Sequence, residues 1–192
     1  MKRLAVCLGV VVLLFLTAAC GTESEASSQP SVAVKAGPTL EFEGRDVYVF
    51  TLSPSGRPSG TLALKSVAAG SVTTLDQHRF AAMEATGSVA LEVSPRGIDV
   101  AWDTPPVGAS LAGGPVAFPA GSQSGMVVWT SSATYGPADT AGEQVFWVQG
   151  RYLGEPPDSD SDAAGAFLDT VSRSAQQPAK TSYCLTISVD AP

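Results

Sequence analysis

The stretch Ser88–Asp103, SVALEVSPRGIDVAWD, decides the fold. Val89, Leu91 and Val93 alternate with Ala90 and Glu92, and beyond the turn Ile98, Val100 and Trp102 alternate with Asp99, Ala101 and Asp103. A period of two places one apolar set on a single side of an extended chain. Pro95-Arg96-Gly97 interrupts both runs as a turn signal, so a hairpin with one face in a core is expected.

The same alternation recurs near the C-terminus. In TSYCLTISVD, Thr181–Asp190, the residues Tyr183, Leu185, Ile187 and Val189 oppose Cys184, Thr186, Ser188 and Asp190, the pattern of a half-buried strand. Three runs are apolar on both faces: Val47–Leu52, Met126–Trp129 and Val145–Val148. Their β-branched and aromatic content predicts central strands covered on two sides. Further strands are expected at Thr39–Glu43, Thr61–Val67 and Val116–Phe118. Strands punctuated by Gly and Pro define an all-β chain, an antiparallel β-sandwich or barrel-like domain with one or two short helices.

One helix is expected over Asp162–Ser174, where Ala163, Ala166, Phe167 and Val171 share a face behind Ser and Asp capping residues. Thr74–Ala85 reads two ways: a helix capped by Thr-x-x-Gln, or a strand running into a turn at Thr86-Gly87-Ser88. Thr104–Pro115 and Ser131–Gly142 have the Gly, Pro, Ser and Ala content of surface loops. Asparagine is absent, so turns must use Gly, Pro, Ser and Asp.

The N-terminus carries a different signal. Lys2 and Arg3 precede an uncharged run from Leu4 to Ala19, short for a permanent span of about 20 residues. A cationic start, a short apolar run and small residues before a cut describe a secretory signal peptide. Its end, Thr17-Ala18-Ala19-Cys20, resembles the lipobox of bacterial lipoproteins, although Thr17 stands where that family prefers Leu. The resemblance covers about the first tenth of the chain. It implies that a diacylglyceryl group is added to the Cys20 thiol, that cleavage follows Ala19, and that Cys20 is the lipidated first residue of the mature protein. Ordinary secretion, with cleavage at the same bond and a bare Cys20, is the alternative.

Behind the cysteine, GTESEASSQPSVAVKAG, Gly21–Gly37, is rich in Ser, Glu and small residues and is expected to be a disordered leash. The chain thus divides into a signal peptide over 1–19, a lipidated N-terminus and flexible tether over 20–37, and a single β-rich extracytoplasmic domain over 38–192. Two or more acyl chains, at about 0.8 kcal/mol per buried CH₂, make a stable anchor where one chain does not.

Charge narrows the partners. Loss of Lys2 and Arg3 takes the formal net charge from −7 to −9. An acidic domain without a cluster of Arg and Lys among aromatics is unsuited to phosphate backbones, so no nucleic-acid partner is expected. Of three cysteines, Cys7 leaves with the signal peptide and Cys20 takes the lipid, so Cys184 is left alone. A Cys20 without lipid is the one candidate to pair with it.

Catalytic signatures are thin. His78 is the sole histidine, and a Ser–His–Asp triad would have to use it, with Asp76, Asp99 or Asp103 as orienter. Gly121-Ser122-Gln123-Ser124-Gly125 has Gln at the centre and fails as a nucleophile elbow. Asp158, Asp160, Asp162 and Asp169 fall at places 1, 3, 5 and 12 of a calcium loop, yet Ala163 replaces its glycine and Asp169 its bidentate Glu. An acidic helix start explains these carboxylates equally well. Trp102, Trp129 and Trp147 sit in apolar strand patterns and read as core.

The expectation is a lipid-anchored extracytoplasmic lipoprotein of the bacterial cell envelope, a non-catalytic binding or accessory module held to the cell membrane through Cys20. No catalytic, cofactor or metal residue is assigned, and the partner is an envelope protein or glycan. The alternatives are an extracytoplasmic hydrolase using His78 and a calcium-stabilised adhesion module.

Overall fold

The computed structural model describes residues 29–106, 108–111, 116–118, 127–132, 135–138, 142–152, 162–176 and 181–192. Two antiparallel sheets pack face to face, and one helix lies on the outer side of the second, so the all-β sandwich is observed. The strands of the described chain are β1 (Ser31–Ala36), β2 (Leu40–Phe42), β3 (Arg45–Ser55), β4 (Gly60–Ala68), β5 (Ser71–Phe80), β6 (Gly87–Val93) and β7 (Gly97–Thr104). They continue with β8 (Gly108–Leu111), β9 (Val116–Ala117), β10 (Val127–Ser132), β11 (Tyr135–Ala138), β12 (Gln144–Tyr152) and β13 (Thr181–Val189). The helix, α1, spans Ala163–Gln176.

Sheet one runs β11-β1-β3-β6-β7-β8, with β2 added to β3 and β9 to β7; sheet two runs β10-β12-β13-β4-β5. The hairpin read from Ser88–Asp103 is β6 and β7, in register Val89↔Trp102, Leu91↔Val100 and Val93↔Ile98, with all six side chains buried. Ser94 closes its turn, its Oγ accepting from the amides of Arg96 and Gly97 at 3.2 Å. From the facing sheet come Leu62 and Leu64 of β4 and Tyr183, Leu185 and Ile187 of β13.

A bulge in β12 shapes this core. Val145 pairs with Thr186 and Trp147 with Leu185, leaving Phe146 as an extra residue. An extra residue breaks the alternation, so neighbours share a face. Phe146 and Trp147 therefore both enter the inter-sheet core, while Val145 and Val148 face the helix. Phe146 meets Phe50 edge-on at 4.9 Å and Trp147 meets Tyr48 at 5.8 Å between ring centroids. Such pairs add about 0.5–1.5 kcal/mol to the burial of their surface.

Helix α1 begins as the sequence indicates. The Asp162 carboxylate accepts the Gly165 amide at 2.6 Å, an N-cap bond. Ala163, Ala166 and Phe167 then pack on Val145, Val148 and Cys184. Thr170 completes the buried side, and Val171, expected on that face, is half-buried.

Several expectations are corrected. Residues Ser31–Ala36, assigned to the tether, form β1 between β3 and β11, and Val32 and Val34 are fully buried. Two valines suffice to fix a strand once sheets on either side supply its hydrogen bonds, which composition alone cannot reveal. The folded unit thus begins before residue 38. Thr74–Phe80 is strand, the end of β5 paired along β4, whereas 81–86 are irregular and Gly87-Ser88, expected as part of a turn, open β6. The expected loops contain β8 and β11, and β10 extends to Ser132. Of the three runs expected to be covered on both sides, β12 is covered so, whereas β3 leaves Val47 and Val49 half-buried and Thr51 exposed. Burial of the Met126–Trp129 side chains lies outside the described residues.

Without asparagine, two tight hairpins put other residues in the left-handed region. Glu43-Gly44 joins β2 to β3 with φ of 49° and 74°, and Ala69-Gly70 joins β4 to β5 with 51° and 75°. Gly serves the second place without strain, whereas Glu43 and Ala69 carry a Cβ there. At Gly70 space is short too, because an added Cβ would lie 2.9 Å from that of Ala175 in α1.

A chain truncated to start at residue 38 loses β1. The two buried valines are each worth about 1.5–3 kcal/mol, so the loss exceeds about 3 kcal/mol. Urea unfolding is expected to show a cooperative transition for a chain starting at residue 29 and a weakened or absent one for the shorter chain.

Candidate functional site

His78 stands on β5 and faces inward with Asp76 and Phe80, across from β7. Its Nε2 lies 2.6 Å from Oγ1 of Thr104, and its ring stacks on Trp102 at 6.2 Å and 10°. The Trp102 indole N–H donates to Asp76 Oδ2 at 3.1 Å. A histidine, a carboxylate and a hydroxyl are thus close together, but not as a triad. Thr104 is fully buried and the Asp76 carboxylate is engaged by the indole. Asp99, Ala101 and Asp103 occupy the other side of β7, so Asp99 and Asp103 are not orienters. Burial lowers the His78 pKa from its usual value, with Asp76 acting in the opposite sense.

The remaining sequence candidates separate. Cys20, the Gly121–Gly125 loop, Asp158 and Asp160 lie outside the described residues. Asp162 caps α1, and Asp169 accepts from Arg173 Nε at 2.7 Å one turn along. Seven helical residues at about 1.5 Å each set Asp162 and Asp169 roughly two turns apart along the axis, each carboxylate engaged within the helix and not in a loop closed round an ion. Among the described residues no group of three or more His, Cys, Asp or Glu could hold a metal. Trp102 and Trp147 are core residues, and the Trp147 indole N–H has no hydrogen-bond partner among the described residues.

Cys184 sits on the side of β13 that reads as the more polar one, yet α1 covers it completely. Beside it Lys65 binds both Glu143 oxygens at 2.5 and 2.6 Å, and Thr186 donates to Glu143 at 2.7 Å. Burial pushes the Cys184 thiol up from 9.0 to about 12, which lowers its thiolate fraction about a thousandfold. The expected pairing of a bare Cys20 with Cys184 therefore has no access in the folded state.

One site carries no motif. Because the bulge shifts the parity of β12, Gln149 and Arg151 turn into the sandwich, at 2 % and 6 % exposure. Arg151 Nε donates to Gln149 Oε1 at 3.0 Å, and the guanidinium lies 3.3 Å over the Phe118 ring. No carboxylate pairs with it among the described residues, and desolvation lowers its pKa, partly opposed by Tyr183. A cleft of about 290 Å³ opens here, with Arg151 and Gln149 on one wall and Asp46, Val93 and Ser94 on the other. A buried cation is normally paired, so one without a carboxylate among the described residues, beside a cleft, marks a place where a ligand can complete the set. Only a one-residue shift in β12 distinguishes this arginine from a surface one.

Comparison with protein-family models, with curated proteins and with solved structures finds no match.

Two outcomes are expected. In the unfolded chain His78 titrates near 6.5, and in the fold lower, so the unfolded state binds more protons as pH falls through 6.5. The resulting loss of stability accrues below pH 6.5, and His78→Gln should flatten the pH dependence of the melting temperature between pH 7 and 5. Cys184 should resist maleimide at neutral pH in the native protein and react at once in denaturant.

Proposed function

We propose that the chain is a lipid-anchored, non-catalytic binding module on the extracytoplasmic face of a bacterial cell membrane. The observation that carries this reading is the polarity of the sandwich. Register places Ser31 beside Ser55, at the end of β3 remote from Asp46. Asp46, the Ser94–Arg96 turn, Tyr183 and Arg151 gather at the opposite end. The N-terminal segment thus joins at one pole and the cleft opens at the other. The nine steps from Asp46 to Ser55, at about 3.3 Å each, separate them by roughly 30 Å.

Cys20 is the anchor in this reading, its thiol carrying the lipid that the lipobox resemblance implies. Ten residues, Gly21–Pro30, link it to β1. At most about 3.6 Å per residue, they hold the sandwich within about 36 Å of the bilayer, with the cleft directed outward. Among the described residues no helix is long and apolar enough to cross a membrane; attachment is assigned to the lipid on the lipobox resemblance alone. The hydrolase reading is disfavoured by Thr104 and Asp76, the one buried and the other engaged by Trp102. An envelope protein or glycan remains the partner class.

Mass spectrometry of the detergent-extracted protein is expected to find a chain starting at Cys20 and carrying diacylglyceryl mass. Cys20→Ala should shift the protein from the membrane fraction to the soluble one, whereas His78→Ala should leave its location and binding unchanged. A bare Cys20 at the mature N-terminus overturns the anchor.

A further inference from the structure

We infer that the cleft at the distal pole binds a small zwitterion of amino-acid or dipeptide size, its carboxylate on Arg151 and its ammonium toward Asp46. This deepens the binding-module reading and rests on it for relevance, but not on the anchor.

The argument starts from what Arg151 lacks. Its residue is more than nine-tenths buried, one nitrogen is used by Gln149, and the ring of Phe118 covers one face. Its two Nη groups have no protein partner among the described residues, and the residue lines the cleft. A guanidinium edge presents paired N–H donors at the spacing of two carboxylate oxygens, the strongest complement available to it. Phe118 and Gln149 hold the fork in place, so little side-chain freedom is lost on binding.

The opposite wall selects further. Asp46 lies on β3 with its side toward the interior, facing Arg151 without forming an ion pair with it. A cation and an anion held apart across one cleft match a ligand with the opposite charges at its two ends. A ligand with a carboxylate alone would bring that charge toward Asp46 uncompensated. Ser94 and Pro95 of the β6–β7 turn close the rim, the Ser94 hydroxyl being held within that turn. At about 290 Å³ the cleft is at the small end of ligand pockets, which excludes a folded partner from its interior. A groove of about 490 Å³ adjoins it, sharing Ser94 and Pro95 and carrying Arg45, Glu92 and Arg96, and gives a longer zwitterion room to extend.

Calorimetry on the full mature protein in detergent, with alanine, dialanine, N-acetylalanine and alaninamide as probes, tests this. Alanine or dialanine should bind saturably with Kd of about 1 mM or tighter. Preference between these two distinguishes a free amino acid from a peptide. N-acetylalanine should bind at least about tenfold more weakly, and alaninamide not measurably. Arg151→Lys, which keeps a cation but not the fork, should weaken alanine or dialanine at least about tenfold. Should that variant not fold, Asp46→Asn on the opposite wall decides: it should abolish the preference for alanine over N-acetylalanine. Absence of saturable alanine and dialanine binding, equal binding of alaninamide, or a preference unmoved by Asp46→Asn overturns the proposal. Loss of binding with Cys20 lipidated removes the cleft alone; intact binding with a bare Cys20 removes the anchor alone.

Discussion

Two adjacent aromatic rings, Phe146 and Trp147, must enter the same core, and an alternating strand cannot deliver both. The bulge in β12 resolves the conflict by one extra residue. Upstream of it Val145 faces the helix, and downstream Trp147, Gln149 and Arg151 face the interior. The same step that completes the aromatic core against Tyr48 and Phe50 also drives a guanidinium into the sandwich. Packing and site share one origin.

The second sheet then needs cover on both sides. Its inner face meets β3, β6 and β7, and its outer face carries Val145, Val148 and Cys184, which would be an apolar patch in water. Helix α1 closes that patch, fixed at its start by Asp162. The helix also makes Cys184 inert and turns Asp162 and Asp169 into local helix contacts, away from calcium-loop geometry. A stabilising element thus accounts for features that look chemical in the sequence. His78 is similar: its contacts with Thr104 and Trp102 seal the gap between β5 and β7.

The entry point of the N-terminal segment and the Arg151 cleft lie at opposite poles, which gives the molecule a direction. A short N-terminal segment enters the sheet beside Ser55, and the Arg151 cleft opens at the far end of the same strands. Strand β3, long enough to run between both poles, sets their distance.

Period-two runs determined by themselves the β6–β7 hairpin, β13 and the all-β class, because alternation needs only neighbours in sequence. The α1 cap and its inward Ala163, Ala166 and Phe167 were legible for the same local reason. The His78 set was doubtful as a triad from spacing alone, and the geometry gives Thr104 and Asp76 structural contacts instead. Tertiary structure alone decided the rest. Strand β1 continues a Ser- and Glu-rich stretch that reads as tether and is fixed only where β3 and β11 flank it, and the cover on Cys184 depends on where α1 lands. The burial of Arg151 depends on a single unpaired residue three steps before Gln149, and a bulge leaves no signature in composition because it is a mismatch between two strands and not a property of either.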